Sequence, residues 1–402
     1  KAQFIQLTDH PARLLPPVLV SSTHDFSLSL TTVPGSNQQT TSTTEVRIQA
    51  VKMGKPIVLQ LGDDIKWNHD LYKEFTSKFD IRRSYSMPRA EFIQALKDKK
   101  FGDFFAIYRP FWNTGGEMGN WDKELISLLP SSCKVYASAG AGFDWVDTET
   151  LASREFYCTG IIYCNAAAAC TESVADGAIW LILSTFRLFS WSSAAARSGD
   201  PDQFVDANKN LGAVSRNPNG FSLGIIGFGK IGRRIAEKAH KSFDMKILYN
   251  DVVRMPADLE KSSNATYIKD MNELLATADC VLTATPFAGK TLLDAAAIAK
   301  MKKGAKLINI ARGKLIEEEP LVAALKSGHL SAVGLDVHYN EPHVNKELIK
   351  MRNVEVLSHN AGASLDAHMG FERLGMENIL SFASTGKAVT PVNAHLINKS
   401  RL

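Results

Sequence analysis

Arg312, Glu341 and His359 are the residues whose types and placement point most directly to chemistry. Each stands at or past the end of an apolar run that reads as a buried strand: "KLINIARG" (306–313), "SAVGLDV" (331–337) and "VEVLSHN" (354–360). In an open α/β sheet, ligands sit beyond the carboxyl ends of the strands. Three successive strand ends would therefore deliver a guanidinium, a carboxylate and an imidazole to one rim. A guanidinium can fork onto a carboxylate and a neighbouring carbonyl oxygen, holding the acid and polarising the C=O. An imidazolium can give that oxygen a proton as hydride arrives, and a neutral imidazole can take it back in the reverse direction. A carboxylate bonded to the imidazole orients it and favours its charged form. Interconversion of a 2-keto acid and a 2-hydroxy acid needs this set.

A second motif supplies a place for the hydride donor. Gly227-Phe228-Gly229-Lys230-Ile231-Gly232 fits G-x-G-x-x-G, after the apolar run Leu223 to Ile226 and before a segment carrying Ile231, Ile235 and Ala239 at helical spacing. The first glycine permits the tight turn, the second lets the backbone approach a pyrophosphate, and the third lets helix and strand pack closely. Asp251 ends the next predicted strand, nineteen residues past Gly232. A carboxylate there binds the adenosine ribose and repels a 2′-phosphate, which predicts NAD(H) in preference to NADP(H). Arg254, three residues on, is the cation that would argue the other way.

The elements that must position these groups are legible in outline. "PIVLQL" (56–61), "FFAIY" (104–108) and "KVYAS" (134–138) read as strands, and "PRAEFIQALKDK" (88–99) as a helix packed through Phe92, Ile93 and Leu96. After the turn "NPNG" (217–220) a second series gives six apolar strands, ending with 354–360. Strand–helix alternation implies parallel βαβ units with right-handed connections. The fold class is thus α/β, with two doubly wound parallel-sheet domains. The polar run "TTVPGSNQQTTSTT" (31–44) reads as a linker.

Bulk properties exclude several classes. The 402 residues carry a net charge of +4 from 46 basic and 42 acidic side chains in mixed order, so no basic footprint for nucleic acid is expected. The most apolar stretch, "AIWLILSTF" from Ala178, is shorter than the roughly 18 residues of a membrane span and is expected to be a core helix. Cys133, Cys158, Cys164, Cys170 and Cys280 form no C-x-x-C pair and suit reduced, packed thiols. Residues 1–54 read as an extension, its first fifty residues Ser/Thr-rich. A cytoplasmic location is expected, and mitochondrial targeting by this segment is the alternative.

The pieces "GAGFDWVD" (140–147), "TESVADGAIWLIL" (171–183), "GIIGFGKIG" (224–232), "INIARGKLIEEEPLVAALKSG" (308–328), "GLDVHYNEP" (334–342) and "SHNAG" (358–362) occur in this order. Through them the chain resembles the D-isomer-specific 2-hydroxyacid dehydrogenase family, over roughly residues 55 to 395, with the D-mandelate dehydrogenase-like branch the nearest. The resemblance implies that Arg312, Glu341 and His359 are catalytic, and that Ala141 and Gly142 hold the substrate carboxylate through backbone N–H groups, with Arg312 and Trp112 also at the substrate. It further implies cofactor contacts from Thr171, the 227–232 turn, Asp251, Thr285, Pro286, Ile310, Ala311, Asp336 and Gly362, with Asp336 on the nicotinamide carboxamide. It implies a Rossmann cofactor domain (166–365) inserted in a flavodoxin-like substrate domain (55–165 plus 366–402), with 378–393 as the returning segment. A homodimer through the cofactor domains is implied too, with "FRLFSWSSAAARSG" (186–199) as a possible exchanged arm. Ser358 stands where the family usually has Pro, and none of the matching pieces falls within residues 1–54.

Tyr108, Phe111, Trp112 and Trp121 are either core or the wall of a pocket for bulky or aromatic 2-keto acids. An NADP-preferring glyoxylate or hydroxypyruvate reductase, and an NADH sensor similar to the C-terminal-binding corepressors, are the alternatives. His338, Glu341 and His343 are close in sequence, but alternation along an extended chain would not converge them, so no metal is expected. Lys300, Lys302, Lys303 and Lys306 read as a solvated helix end, and His240, His329 and His368 as surface or packing residues.

Overall fold

The computed structural model describes residues 54–111, 118–153 and 160–397. The first sheet holds β1 (Ile57–Leu61), β2 (Asp80–Ser84), β3 (Ala106–Arg109), β4 (Val135–Ser138) and β5 (Ile162–Cys164) in the order β2-β1-β3-β4-β5. The second holds β6 (Ser222–Ile226), β7 (Lys246–Asn250), β8 (Ala265–Tyr267), β9 (Cys280–Thr283), β10 (Ala305–Asn309), β11 (Leu330–Leu335) and β12 (Val354–Val356), ordered β12-β11-β10-β9-β6-β7-β8. Every strand pairing within these sheets is parallel. The first is the flavodoxin-like order and the second the dinucleotide-binding order, each with a switch point where connections reverse direction.

Parallel sheets are covered on both faces, so their inner strands lose the alternation of a half-exposed strand. β3, β4, β9 and β10 are buried at every residue. The edges differ, and there the sequence misled. β2 ("DIRRS") and β8 ("ATY") lie at sheet edges and lack an apolar run, and β5 has only three residues, so the first sheet holds five strands rather than three and the second seven rather than six. Strand pairing, not hydrophobic pattern, makes these segments strands.

Two long helices link the sheets. The crossover helix, Ala167–Arg187, packs Ala175, Ala178, Leu181 and Ile182 against the second sheet. Its length and apolarity would suffice to cross a bilayer, yet Glu172 and Asp176 on it pair with Arg234 and Lys238 of the helix Lys230–Phe243. The return helix, Leu365–Thr385, places Met376 and Ile379 among Val58, Ala106 and Tyr108 of the first sheet, and begins well before the expected 378–393 segment. The Ser364 side chain caps its first turn by accepting the Ala367 N–H, and its Oγ lies 2.7 Å from Ser173 Oγ of the crossover helix.

Lys306 corrects the solvated-lysine expectation. It is 8% exposed at the start of β10, with Nζ donating to Ser331 Oγ and lying over the Phe186 ring, and burial pushes its ammonium below the usual lysine range. Cys133, Cys164, Cys170 and Cys280 are buried, whereas Cys158 lies outside the described residues.

Candidate functional site

The exits of β10, β11 and β12 are built by hydrogen bonds that turn the backbone sharply. After β10, the Asn309 side chain accepts from Thr283 Oγ1 (2.8 Å) and the Ala311 N–H (3.0 Å) and donates to the Arg312 carbonyl (2.9 Å), shaping the turn Ile310-Ala311-Arg312. A Cβ on Gly313 would lie 1.9 Å from the His338 carbonyl oxygen, so only glycine lets the β10 exit pass this close to the β11 exit. That answers why a glycine follows the arginine.

Asp336 follows β11 directly rather than lying within it, and is 3% exposed. Its Oδ1 accepts the N–H groups of Asn360 (2.9 Å) and Ala361 (3.0 Å), and its carbonyl accepts that of His359 (2.7 Å). Burial raises its carboxyl above the ordinary value despite these bonds. The loop Ser358–Gly362 is thereby stapled to the β11 exit. His359 lies three residues past the end of β12, with φ +53°, a region non-glycine residues seldom adopt.

Glu341 closes the arrangement. Its Oε2 is 2.7 Å from His359 Nδ1 and its Oε1 accepts the His338 N–H at 2.9 Å. Burial pushes the Glu341 carboxyl up, but the bonds from His359 and the His338 backbone outweigh it and hold the group below the usual range. His338 Nε2 sits 2.7 Å from the Leu357 carbonyl, and because a carbonyl only accepts, Nε2 carries the proton. Among the described residues no group of three or more His, Cys, Asp or Glu side chains is placed to hold a metal.

Arg312 reaches across to the first sheet. Its Nε donates to Asp144 Oδ1 (2.8 Å), Nη2 lies 2.7 Å from the same oxygen, and Nη1 donates to the Ala311 carbonyl (2.7 Å). The guanidinium lies against Gly142: a Cβ there would fall 1.4 Å from Nη2. Asn165 Nδ2 donates to the Ala141 carbonyl (2.8 Å) and steadies that turn. The structure thus brings Arg312 to Gly142 and His359 to Glu341, at exits of adjacent strands. Sequence reasoning quoted Asp144 within "GAGFDWVD" but gave it no role.

The 227–232 turn fits a dinucleotide. Gly227 has φ +95°, and a Cβ on it would meet the Ala284 carbonyl and the Thr285 nitrogen at 2.7–2.8 Å, so the segment carrying Thr285 and Pro286 runs alongside the turn. A Cβ on Gly232 would lie 2.2 Å from the Gly227 carbonyl oxygen, whereas one on Gly229 meets nothing within 4 Å. The first and third glycines are needed for packing, and the middle one faces open space where a pyrophosphate can approach. Phe228 is buried and stacked on Tyr249 at 4.0 Å, holding the turn to β7, and Lys230 and Ile231 begin the following helix. Asp251 Oδ2 accepts the Phe228 N–H (2.7 Å), which fixes the carboxylate beside the turn. Arg254 is engaged by both oxygens of Glu260, at 2.9 and 3.0 Å. The Thr171 hydroxyl donates to the Ala167 carbonyl within the crossover helix (2.8 Å).

The aromatic residues divide. Tyr108 and Trp121 are core, at 0% and 1% exposure, while Trp112 lies outside the described residues. Phe111 is ringed by Trp67 (6.3 Å) and His368 (6.5 Å), with Lys66 Nζ 5.1 Å from its centroid. Trp67 follows β1, and His368, near the start of the return helix, is a packing residue as expected, its ring against Trp67 and Phe111. Burial, with Lys66 nearby, holds the His368 imidazole below its usual value.

Residues 179–361 match the family model "D-isomer specific 2-hydroxyacid dehydrogenase, NAD binding domain". Among solved structures, the apo form of Rhodotorula graminis D-mandelate dehydrogenase is 41% identical with a TM-score of 0.80, covering 84% of this chain and 98% of that one. The curated 4-methyl-2-oxopentanoate reductase A of Aspergillus oryzae is 33% identical over 80% of this chain and 93% of its own length. An NADPH-dependent glyoxylate/hydroxypyruvate reductase of Sinorhizobium meliloti, solved with NADP and malonate, is 26% identical at a TM-score of 0.65, covering 86% and 99% of the two chains.

Proposed function

Because the chain belongs to the D-isomer-specific 2-hydroxyacid dehydrogenase family, in its D-mandelate dehydrogenase-like branch, and is an oxidoreductase acting with a nicotinamide cofactor on small 2-hydroxy or 2-keto acids, we propose that it is an NAD(H)-dependent reductase of bulky or aromatic 2-keto acids. The observation that carries the reading is the 2.7 Å contact of His359 Nδ1 with Glu341 Oε2, beside an Arg312 that lies against Gly142 of the opposing sheet.

In this reading a bound dinucleotide, held by the 227–232 turn, Asp251, Thr171, Thr285, Pro286, Ile310, Ala311, Asp336 and Gly362, supplies or accepts the hydride. Arg312 and the backbone of Ala141-Gly142 hold the substrate carboxylate, and the guanidinium polarises the carbonyl. Glu341 holds His359 through Nδ1, so the proton passes to or from the substrate oxygen at Nε2. Seating the substrate between the two rims excludes water from the reacting carbon. Asp251 beside the turn, with Arg254 turned to Glu260, supports NAD(H) over NADP(H). The cluster of Trp67, Phe111 and His368 beyond β1, β3 and the return-helix start supports a wide apolar side-chain pocket. Half-exposed Trp180, Phe204 and Val214 on the crossover helix and on Pro201–Val214 support a homodimer through this domain.

A steady-state panel of NADH and NADPH against glyoxylate, pyruvate, hydroxypyruvate, phenylglyoxylate and 4-methyl-2-oxopentanoate tests the proposal. The expected result is a larger kcat/KM with NADH and with the two bulky acids. A larger value for glyoxylate or with NADPH overturns the corresponding half.

A further inference from the structure

Among the described residues that contact the Arg312 guanidinium, Asp144 has no task in holding substrate or cofactor, and its position is costly. A carboxylate in contact with the cation meant for an anionic substrate repels that substrate and competes for the cation. Fold stability does not explain it: the side chains are 27% and 34% exposed, and an ion pair so placed adds little. The geometry gives another reason. Asp144 Oδ1 takes the Nε–Nη2 edge of the guanidinium, from the first sheet, while the Ala311 carbonyl takes one N–H of Nη1, from the second. Two anchors on different sides of a planar group fix its plane, and Gly142, two residues before Asp144, supplies the slot in which Nη2 rests. One loop thus provides both slot and counter-ion.

We propose that Asp144 is a positioning residue: it holds Arg312 by the Nε–Nη2 edge so that the N–H bonds left over on Nη1 and Nη2 are presented to the substrate's carboxylate and carbonyl. The inference rests on the proposed role of Arg312 and deepens it. Asp144 touches no substrate and works through the arginine. Without it, Arg312 keeps its charge but swings on its flexible stem, and two-point recognition loses its geometry.

The test is a double-mutant cycle in the full chain with NADH and phenylglyoxylate. Asp144→Ala is expected to raise the keto-acid KM, lower kcat, and reduce kcat/KM roughly 10- to 100-fold, with cofactor affinity by fluorescence titration unchanged. Asp144→Asn, which keeps the shape and an acceptor, is expected to fall between Ala and wild type, and remains readable if the alanine variant misfolds. On an Arg312→Ala background, Asp144→Ala is expected to cost less than about twofold more, because its partner is gone. Equal losses on both backgrounds, wild-type activity in both Asp144 variants, or faster turnover in Asp144→Ala overturns the inference. Near-normal activity of Arg312→Ala itself overturns the underlying reading instead.

Discussion

On the second sheet, the exits of β10, β11 and β12 are bonded to one another: Asp336 holds the His359 loop, Glu341 holds His359, and Asn309 holds the turn before Arg312. On the first sheet, the exit of β4 offers Gly142 and Asp144, which meet Arg312 of the second. The His359–Glu341 pair proposed to move the proton is therefore complete within one sheet's rim, and Arg312, proposed to bind the carboxylate, is engaged from both sheets. Chemistry that needs a fixed distance sits on a rigid rim, and recognition that must admit a substrate sits between two rims.

The largest loss is expected on the rim of the second sheet. His359→Ala should lower kcat about 10²- to 10⁴-fold in both directions while leaving NADH binding intact, read by stopped-flow turnover and fluorescence titration. At the cross-cleft rim, Gly142→Ala forces Arg312 aside. Its kcat/KM for a 2-keto acid should fall about 10²-fold, carried partly by KM. Equal behaviour of kcat and KM in the two variants would erase the distinction drawn between the rims.

Glu341→Gln sharpens it. The Glu341 carboxyl is held below its ordinary range, so it is ionised throughout the neutral region, and its stabilisation of the pair is lost only as pH falls through that lowered value. Glutamine removes the charge that faces His359 Nδ1, and kcat/KM for reduction should fall about tenfold near neutrality in steady-state assays.

The smallest effect is expected from His368→Phe. A lowered imidazole pKa means the folded protein binds fewer protons than the unfolded chain, so stability is full above about pH 6.5 and declines as pH falls from there toward the folded value. Phenylalanine removes that decline, and the gap between melting temperatures measured at neutral and at mildly acidic pH should narrow by a degree or two, roughly.

Much of this was legible because it is local. The glycine turn, the apolar strands and the residues that end them are short-range patterns, and a parallel sheet places its strand ends on one rim whatever the loops do. The edge strands β2 and β8 were missed because their polar residues become strand through pairing. Lys306 was misread because the Phe186 ring that covers it is far away in the chain. Trp67 and His368 meet only once the return helix comes back to the first sheet.

By itself, then, the amino-acid order determined which groups exist and on which rim they emerge: a cation, an acid and an imidazole after three strands, and a glycine turn before a helix. Only the tertiary structure decided that Arg312 would lie in the Gly142 slot against Asp144, 168 residues away. Hydrogen bonding within a helix or turn is set by neighbours in sequence. A contact across a cleft depends on how two separately packed cores are held by their linking helices.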